Sequence, residues 1–264
     1  MTTDFLKKIV EDKQKEVTAA KKRLPEKEIR ELALLSKKKR PFIERLESKG
    51  KSGVNIIAEI KRASPSKGIL SPQLNPETYA KEYELGGAAA LSVLTDRAHF
   101  MGSAEDLKQA RKATTLPVLR KDFLLSSYQL FESSVMGADA VLLIVRMLST
   151  FQLKNYLAIC KELQMDALVE VHSEQDLESA CIAQARLIGI NNRNLSSFAT
   201  DIETTIRMAA LLEPFQVAVA ASGIRCRRDI EKIMASGIWN FLIGESIVKS
   251  QHPRNFLKSL QIKS

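Results

Sequence analysis

From Asn55 onward the sequence swings eight times between a short apolar run and an amphipathic helical stretch, and no other feature narrows the fold as far. The candidate strands are Asn55–Lys61, Ala89–Leu94, Pro117–Lys121, Ala138–Ile144, Ala167–Val171, Leu187–Asn191, Gln216–Ala220 and Trp239–Ile243. Between them, helical periodicity covers Pro76–Leu85, Glu105–Ala113, Ser127–Met136, Phe151–Leu163, Glu174–Ala183, Ile202–Leu212 and Arg227–Ala235. Strands and helices in this rhythm predict a parallel sheet with crossover helices. Eight units in the 210 residues from Asn55 to the end suit a closed (β/α)8 TIM barrel better than an open sheet. The Gly-x-Gly-x-x-Gly turn of an open dinucleotide-binding sheet does not follow the first strand. Gly86-Gly87-Ala88, Gly137-Ala138-Asp139 and Ser236-Gly237-Ile238 stand just before strands, where a left-handed glycine ends the preceding helix.

The first fifty residues lie outside this rhythm. One helix is expected over Asp4–Arg23, a second starting at Pro25 and a short third over Phe42–Leu46. Phe5, Leu6 and Ile9 give the first an apolar stripe, so it should pack on the barrel. The expected organisation is a helical extension (1–50) on a barrel catalytic domain (51–264), one domain overall. The net charge of +9 sits mostly in the extension. Residues 1–50 hold fifteen Lys/Arg against nine Asp/Glu, whereas the other 214 hold twenty-five against twenty-two. That segment, including Lys37-Lys38-Lys39-Arg40, contains only Phe5 and Phe42 as aromatics, which favours a solvated basic face over a nucleic-acid surface.

No apolar run approaches the roughly 18 residues that span a bilayer, and the charged N-terminal stretch does not read as a secretory signal. Cys160, Cys181 and Cys226 are odd in number and far apart, so a reduced, cytoplasmic setting is expected, with no disulfide framework. His99 and His252 lack metal-ligand spacing, so no metal site is expected. Oligomeric state is left open, with a monomer favoured.

Reactive groups of such a barrel come from the C-terminal ends of its strands. Strand one offers Glu59 and Lys61, which share a face because residues two apart do. Strand three offers Lys121, strand five Glu170, and strand six Asn191 and Arg193. Charges converging on one mouth are costly unless they are paired or at work, so together they mark a site. Ser222-Gly223 and Gly244-Glu245 end strands seven and eight, where small residues and helix N-termini commonly hold a phosphate. Phe100, Phe123, Leu142, Leu195 and Ile243 are expected to line an apolar pocket for an aromatic substrate. His172 is read as facing away from Glu170, a packing residue.

The ordered motifs IAEIKRASPSKG (57–68), LSVLT (91–95), PVLRKDF (117–123), GADAVLLI (137–144), ALVEVH (167–172), IGINNRNL (188–195), ASGI (221–224) and FLIGES (241–246) resemble those of the indole-3-glycerol phosphate synthase family over nearly the whole chain. The resemblance implies a cytoplasmic carboxy-lyase of tryptophan biosynthesis that needs no metal or organic cofactor. Its substrate would be 1-(2-carboxyphenylamino)-1-deoxyribulose 5-phosphate, which closes a ring, loses carbon dioxide and then water. Its N-terminal helices would help cover the active-site mouth.

Carried over by motif, Lys121 would be the general acid at the keto oxygen. Lys61 would hold the substrate's anionic groups and act as a later acid. Glu170 would serve the dehydration, as a base or by stabilising a cation, while Glu59 and Asn191 would orient the lysines and sugar hydroxyls. Ser64, Ser222, Gly223, Gly244 and Glu245 (through its backbone N–H) would hold the phosphate, with Arg193 near the substrate. Three positions depart from the family pattern: Ala221 and Asn194 stand where an acid is usual, and Ser126 where an aspartate is common. The alternatives are another phosphate-binding barrel, such as phosphoribosylanthranilate isomerase or a Schiff-base aldolase, and nucleic-acid binding through residues 1–50.

Overall fold

The computed structural model describes residues 4–36 and 38–261. Lys37 of the basic run and the side chain of Phe5 lie outside the described residues. Eight parallel strands close into a barrel: β1 (Asn55–Ile60), β2 (Ala90–Leu94), β3 (Val118–Lys121), β4 (Ala140–Ile144), β5 (Asp166–Val171), β6 (Leu187–Asn191), β7 (Val217–Ala221) and β8 (Asn240–Ile243). Each pairs with its neighbour in sequence, and β8 closes on β1 from Asn55↔Asn240 to Ala58↔Ile243. The expected (β/α)8 architecture is therefore present, with strand ends moved by one or two residues.

Both faces of every strand are buried, which is why the strands read as continuous apolar runs rather than as an alternation. Ile57, Leu119, Leu142, Leu168, Leu187, Val219 and Leu242 fill the barrel interior. Their neighbours of opposite parity, such as Ile56, Ala58, Ile60, Val118, Val169 and Ile188, pack beneath the surrounding helices. The two-residue repeat of a strand sorts one run into two cores.

The N-terminal fifty residues touch the barrel at its mouth, side and floor. Helix α1 (Asp4–Arg23) buries Leu6 and Ile9, and Leu6 borders the cavity at the mouth. Helix α2 (Glu26–Leu34) buries Ile29 and Ala33 against helix Ser127–Met136, where Ser134 Oγ donates to the Ala33 carbonyl at 3.2 Å. The third helix expected over Phe42–Leu46 is instead a single turn, with Leu46 N and Glu47 N donating to Ile43 O. Asp166, at the start of β5, accepts the backbone N–H groups of Phe42 and Ile43 at 3.2 and 2.9 Å. Phe42, Ile43 and Leu46 then insert into the inner core from below and seal the floor. Tertiary anchoring overrides the helical pattern there.

Two short elements carry no periodicity of their own. Ala63–Ser64 and Gly68–Ile69 form a small antiparallel hairpin in the loop after β1, and Arg97–Phe100 makes one helical turn after β2. The expected left-handed caps fall on Gly87, Gly137 and Gly237, with φ of +86°, +91° and +90°. Gly86 is right-handed; a Cβ there would lie 2.8 Å from Leu257 Cδ2, so close packing is what its size permits. Truncating the fully buried floor residue, Phe42→Ala, should lower unfolding stability by about 3–5 kcal/mol, seen as a lower urea midpoint. An unchanged midpoint would show that the plug does not hold the barrel.

Candidate active site

On several strands the last inward position replaces the apolar filling with a polar or small group. On β1 the inward series runs Ile57, Glu59 and then Lys61 just past the strand; on β3 it runs Leu119, Lys121; on β5, Leu168, Glu170. These side chains open into a cavity of about 890 Å³ at the C-terminal end of the barrel. It is lined by every site residue expected from the sequence except Leu142. Leu142 lies one layer lower in the inner core, and Ile144, two residues further along β4, takes the place expected of it. Ile243 borders the cavity yet belongs to the outer cluster, because its parity on β8 is opposite to that of the inward Leu242.

Two lysine–glutamate pairs define the polar wall. Lys61 Nζ lies 2.6 Å from Glu59 Oε1, and Lys121 Nζ lies 3.7 Å from Glu170 Oε2. Glu59 can approach only because residue 244 is glycine: a Cβ there would stand 2.3 Å from Glu59 Oε1. Gly244, expected as a phosphate contact, thus also makes room for the Glu59 carboxylate. Burial works to raise the Glu170 carboxyl, but the Lys121 cation, the His172 ring and a hydrogen bond from Asn191 hold it below the usual carboxylate value. Asn191 Oδ1 in turn accepts the Arg193 backbone N–H at 3.0 Å, so the amide bridges β5 and the loop after β6.

His172 does not face away from Glu170. Two residues apart, they share parity, and His172 Nε2 lies 3.4 Å from Glu170 Oε1 without a hydrogen bond. The same two-residue rule that pairs Glu59 with Lys61 reaches it, once extended past the strand end. Burial pushes its imidazole below the ordinary histidine value, against the pull of Glu170.

At the ends of β7 and β8 the wall is built for an anion. Ser222, at the end of β7, has a φ of +67° and is followed by Gly223 at +77°. A left-handed serine costs roughly 1–3 kcal/mol, and such backbones concentrate at functional sites. Asn192, which the sequence reading missed, holds this turn: its Nδ2 donates to Ser222 O at 3.1 Å, and its Oδ1 accepts both N–H and Oγ1–H of Thr205. Gly244 N-caps the short helix Glu245–Val248. Ser64 Oγ is buried at the cavity wall without a hydrogen-bond partner. Lys61, Lys67, Lys121, Arg193, Arg225 and Lys249 face only Glu59, Glu170 and Glu245 among the described lining residues. That surplus of cation suits a multiply charged anionic ligand.

The remaining expected residues frame the pocket. Arg193 reaches across the mouth, its Nη1 donating to Phe198 O at 2.9 Å and to Ser66 Oγ at 3.3 Å, with Glu245 Oε2 3.7 Å from Nη2. Burial raises the Glu245 carboxyl, but Lys249 with Lys61 and Arg193 outweighs it and holds the group below its usual value. Phe100 and Phe123 meet at 6.0 Å between ring centroids and give the cavity an aromatic side, with Leu195 also on its wall. Ala221 ends β7 on the same wall and supplies only a methyl group. Among the described residues no His/Cys/Asp/Glu group could hold a metal ion, and no helix is long and apolar enough to cross a membrane.

A family model for indole-3-glycerol phosphate synthase matches residues 6–260. The chain belongs to the indole-3-glycerol phosphate synthase family. Enzymes of that name from Desulfosudis oleivorans and Syntrophobacter fumaroxidans are 54% and 50% identical to it. Those alignments cover 97% and 98% of this chain, and 98% and 97% of the relatives. The barrel also superposes on a thiamine phosphate pyrophosphorylase from Pyrococcus furiosus, with a TM-score of 0.61 at 15% identity. That match covers 79% of this chain and 94% of the other, and it speaks for the fold alone. Membership of this family makes the protein an enzyme, a carboxy-lyase.

Two outcomes follow from this geometry. Gly244→Ala should displace Glu59 from Lys61 and lower kcat/KM by up to about a hundredfold, the scale of a misplacement near 1 Å, with an unchanged circular dichroism spectrum. Full activity in that variant would show that the Glu59–Lys61 contact is dispensable. Glu170, held below the usual carboxylate value, contributes stability that is present above its unfolded pKa and is lost as pH falls through the lowered folded one. The stability gap between wild type and Glu170→Gln should therefore narrow in urea titrations run at successively lower pH from about 5. A gap that widened on acidification would contradict the assignment.

Proposed function

We propose that Lys121, Lys61 and Glu170 carry out ring closure, decarboxylation and dehydration of 1-(2-carboxyphenylamino)-1-deoxyribulose 5-phosphate to indole-3-glycerol phosphate. The observation that carries this is the pair of lysine–glutamate contacts, Lys121–Glu170 and Lys61–Glu59, entering one cavity that is otherwise rich in cations. A substrate with a carboxylate at one end and a phosphate at the other needs such a surplus. Its aromatic ring needs an apolar side, which Phe100, Phe123 and Leu195 offer.

In the first step the ring carbon bearing the carboxylate attacks the keto carbon. Charge develops on the keto oxygen, and the Lys121 ammonium donates a proton to it, the electrostatic match on which general acid catalysis rests. The carboxylate then leaves as carbon dioxide, and its bonding electrons restore the aromatic ring. In the last step the new hydroxyl departs as water after protonation by Lys61, and a proton is lost from the CH2 carbon beside the nitrogen. Glu170 is the base for that proton: it is buried, ionised and fixed by Asn191.

Lys61 also holds the substrate carboxylate, and Glu59 keeps Lys61 aimed into the cavity. Ser64, Ser222, Gly223, Gly244 and the Glu245 backbone N–H form the phosphate end, supported by the unpaired Ser64 hydroxyl and the left-handed Ser222–Gly223 turn. Arg193 closes over the substrate from the β6 side. Residues 1–50 act as a helical extension of the barrel of residues 51–264, and the enzyme works as a monomer in the cytoplasm.

Purified protein should turn the carboxyphenylamino ribulose phosphate into a product with indole fluorescence in buffer without added metal. Lys121→Ala should lower turnover at least about a hundredfold, the scale of a lost general acid. Retention of near-full activity by folded Lys121→Ala would remove that residue from the acid role.

A further inference from the structure

Helix α1 carries one lysine that a solvated face does not explain. Lys13 is 3% exposed, and its Nζ lies 2.8 Å from Asp96 Oδ2, 2.9 Å from Asp122 Oδ1 and 2.8 Å from Glu16 Oε2. Burial opposes its charge, but the surrounding carboxylates outweigh that and hold the amine above the usual lysine value. Asp96 and Asp122 follow the C-terminal ends of the adjacent strands β2 and β3. Both are buried, so without a cation between them two carboxylates would face each other in a poorly solvated place.

Asp122 is the residue after Lys121. Its Oδ2 accepts the Thr95 hydroxyl at 2.5 Å and Arg120 Nη2 at 3.1 Å, while Oδ1 accepts the Phe123 backbone N–H at 2.8 Å. Thr95 N donates to Lys121 O at 3.1 Å. Arg120 and Asp122 flank Lys121 with opposite parity, and both are buried, away from the cavity that Lys121 enters. The residues on both sides of Lys121 are thus anchored, and one partner of the Asp122 carboxylate, Lys13, arrives from outside the barrel on α1.

We propose that Lys13 is a positioning residue for the reaction: by pinning Asp122 and Asp96 it sets the direction in which Lys121 enters the cavity. The extension is then part of the catalytic geometry as well as of the fold. This inference rests on the reading of Lys121 as the general acid.

The test compares Lys13→Met, Lys13→Arg and Lys121→Ala as full-length proteins, with kcat and KM in the indole-forming assay and melting followed by circular dichroism. Lys13→Met should lower kcat by about tenfold or more, within the range for a displaced catalytic group, and leave KM within about threefold. Lys13→Arg, which keeps a cation among the three carboxylates, should recover most of the lost kcat. A folded Lys13→Met with unchanged kcat, a loss confined to KM, or no recovery with Lys13→Arg would each overturn the proposal. If Lys13→Met does not fold, Lys13→Gln replaces it, and failure of both to fold assigns the cluster to stability alone and overturns the positioning role. An active Lys121→Ala would instead bring down the acid assignment, so the two failures are distinguishable.

Discussion

Strand parity in a closed parallel barrel is the constraint on which the rest of this structure depends. Alternate residues must point inward, where there is room for apolar filling and, only at the mouth, for solvent and ligand. Ile57, Leu119, Leu168 and Leu242 supply the filling. One step further along their strands, Glu59, Lys121, Glu170 and Gly244 face the cavity. Chemistry and stability therefore occupy successive positions of the same strands. A one-residue slip would bury the lysines beneath the helices and turn the outer core inward.

The charged groups at the mouth hold one another in working states. Glu170 is held below the usual carboxylate value despite burial, chiefly by the Lys121 cation and the Asn191 amide, while burial pushes the His172 imidazole below its ordinary value. The Lys61–Glu59 contact exists through the missing side chain at Gly244 on the next strand round. Removing one partner of such a cluster leaves another buried and unpaired, so the pairs carry more consequence than their count suggests. The same logic extends outward to Lys13, which links the helical extension to the strand ends that carry Lys121.

Much of this was legible along the chain. The β/α rhythm placed eight strands within one or two residues, and the motifs after strands one, three, five, six, seven and eight marked the cavity wall. Two of the misreadings depended on neighbours distant in sequence. Phe42–Leu46 has the composition of a helical turn, but Asp166 takes its N–H groups and the barrel floor takes its side chains. Leu142 sits a layer below the cavity because a strand position does not announce its height in the barrel. His172 was misassigned by parity alone, an error that correct counting removes.

The sequence by itself determined the barrel, the family and which residues stand at the strand ends, because hydrophobic periodicity and short motifs are local properties that survive without the fold. Only the tertiary structure decided that Glu59 leans over Gly244, that Asn192 fixes the left-handed Ser222, and that Lys13 lies buried between Asp96 and Asp122. The physical reason is distance along the chain. Lys13 is separated from Asp122 by more than a hundred residues, and nothing in a charged, helix-periodic stretch distinguishes the one lysine that closure of the barrel brings against two buried carboxylates.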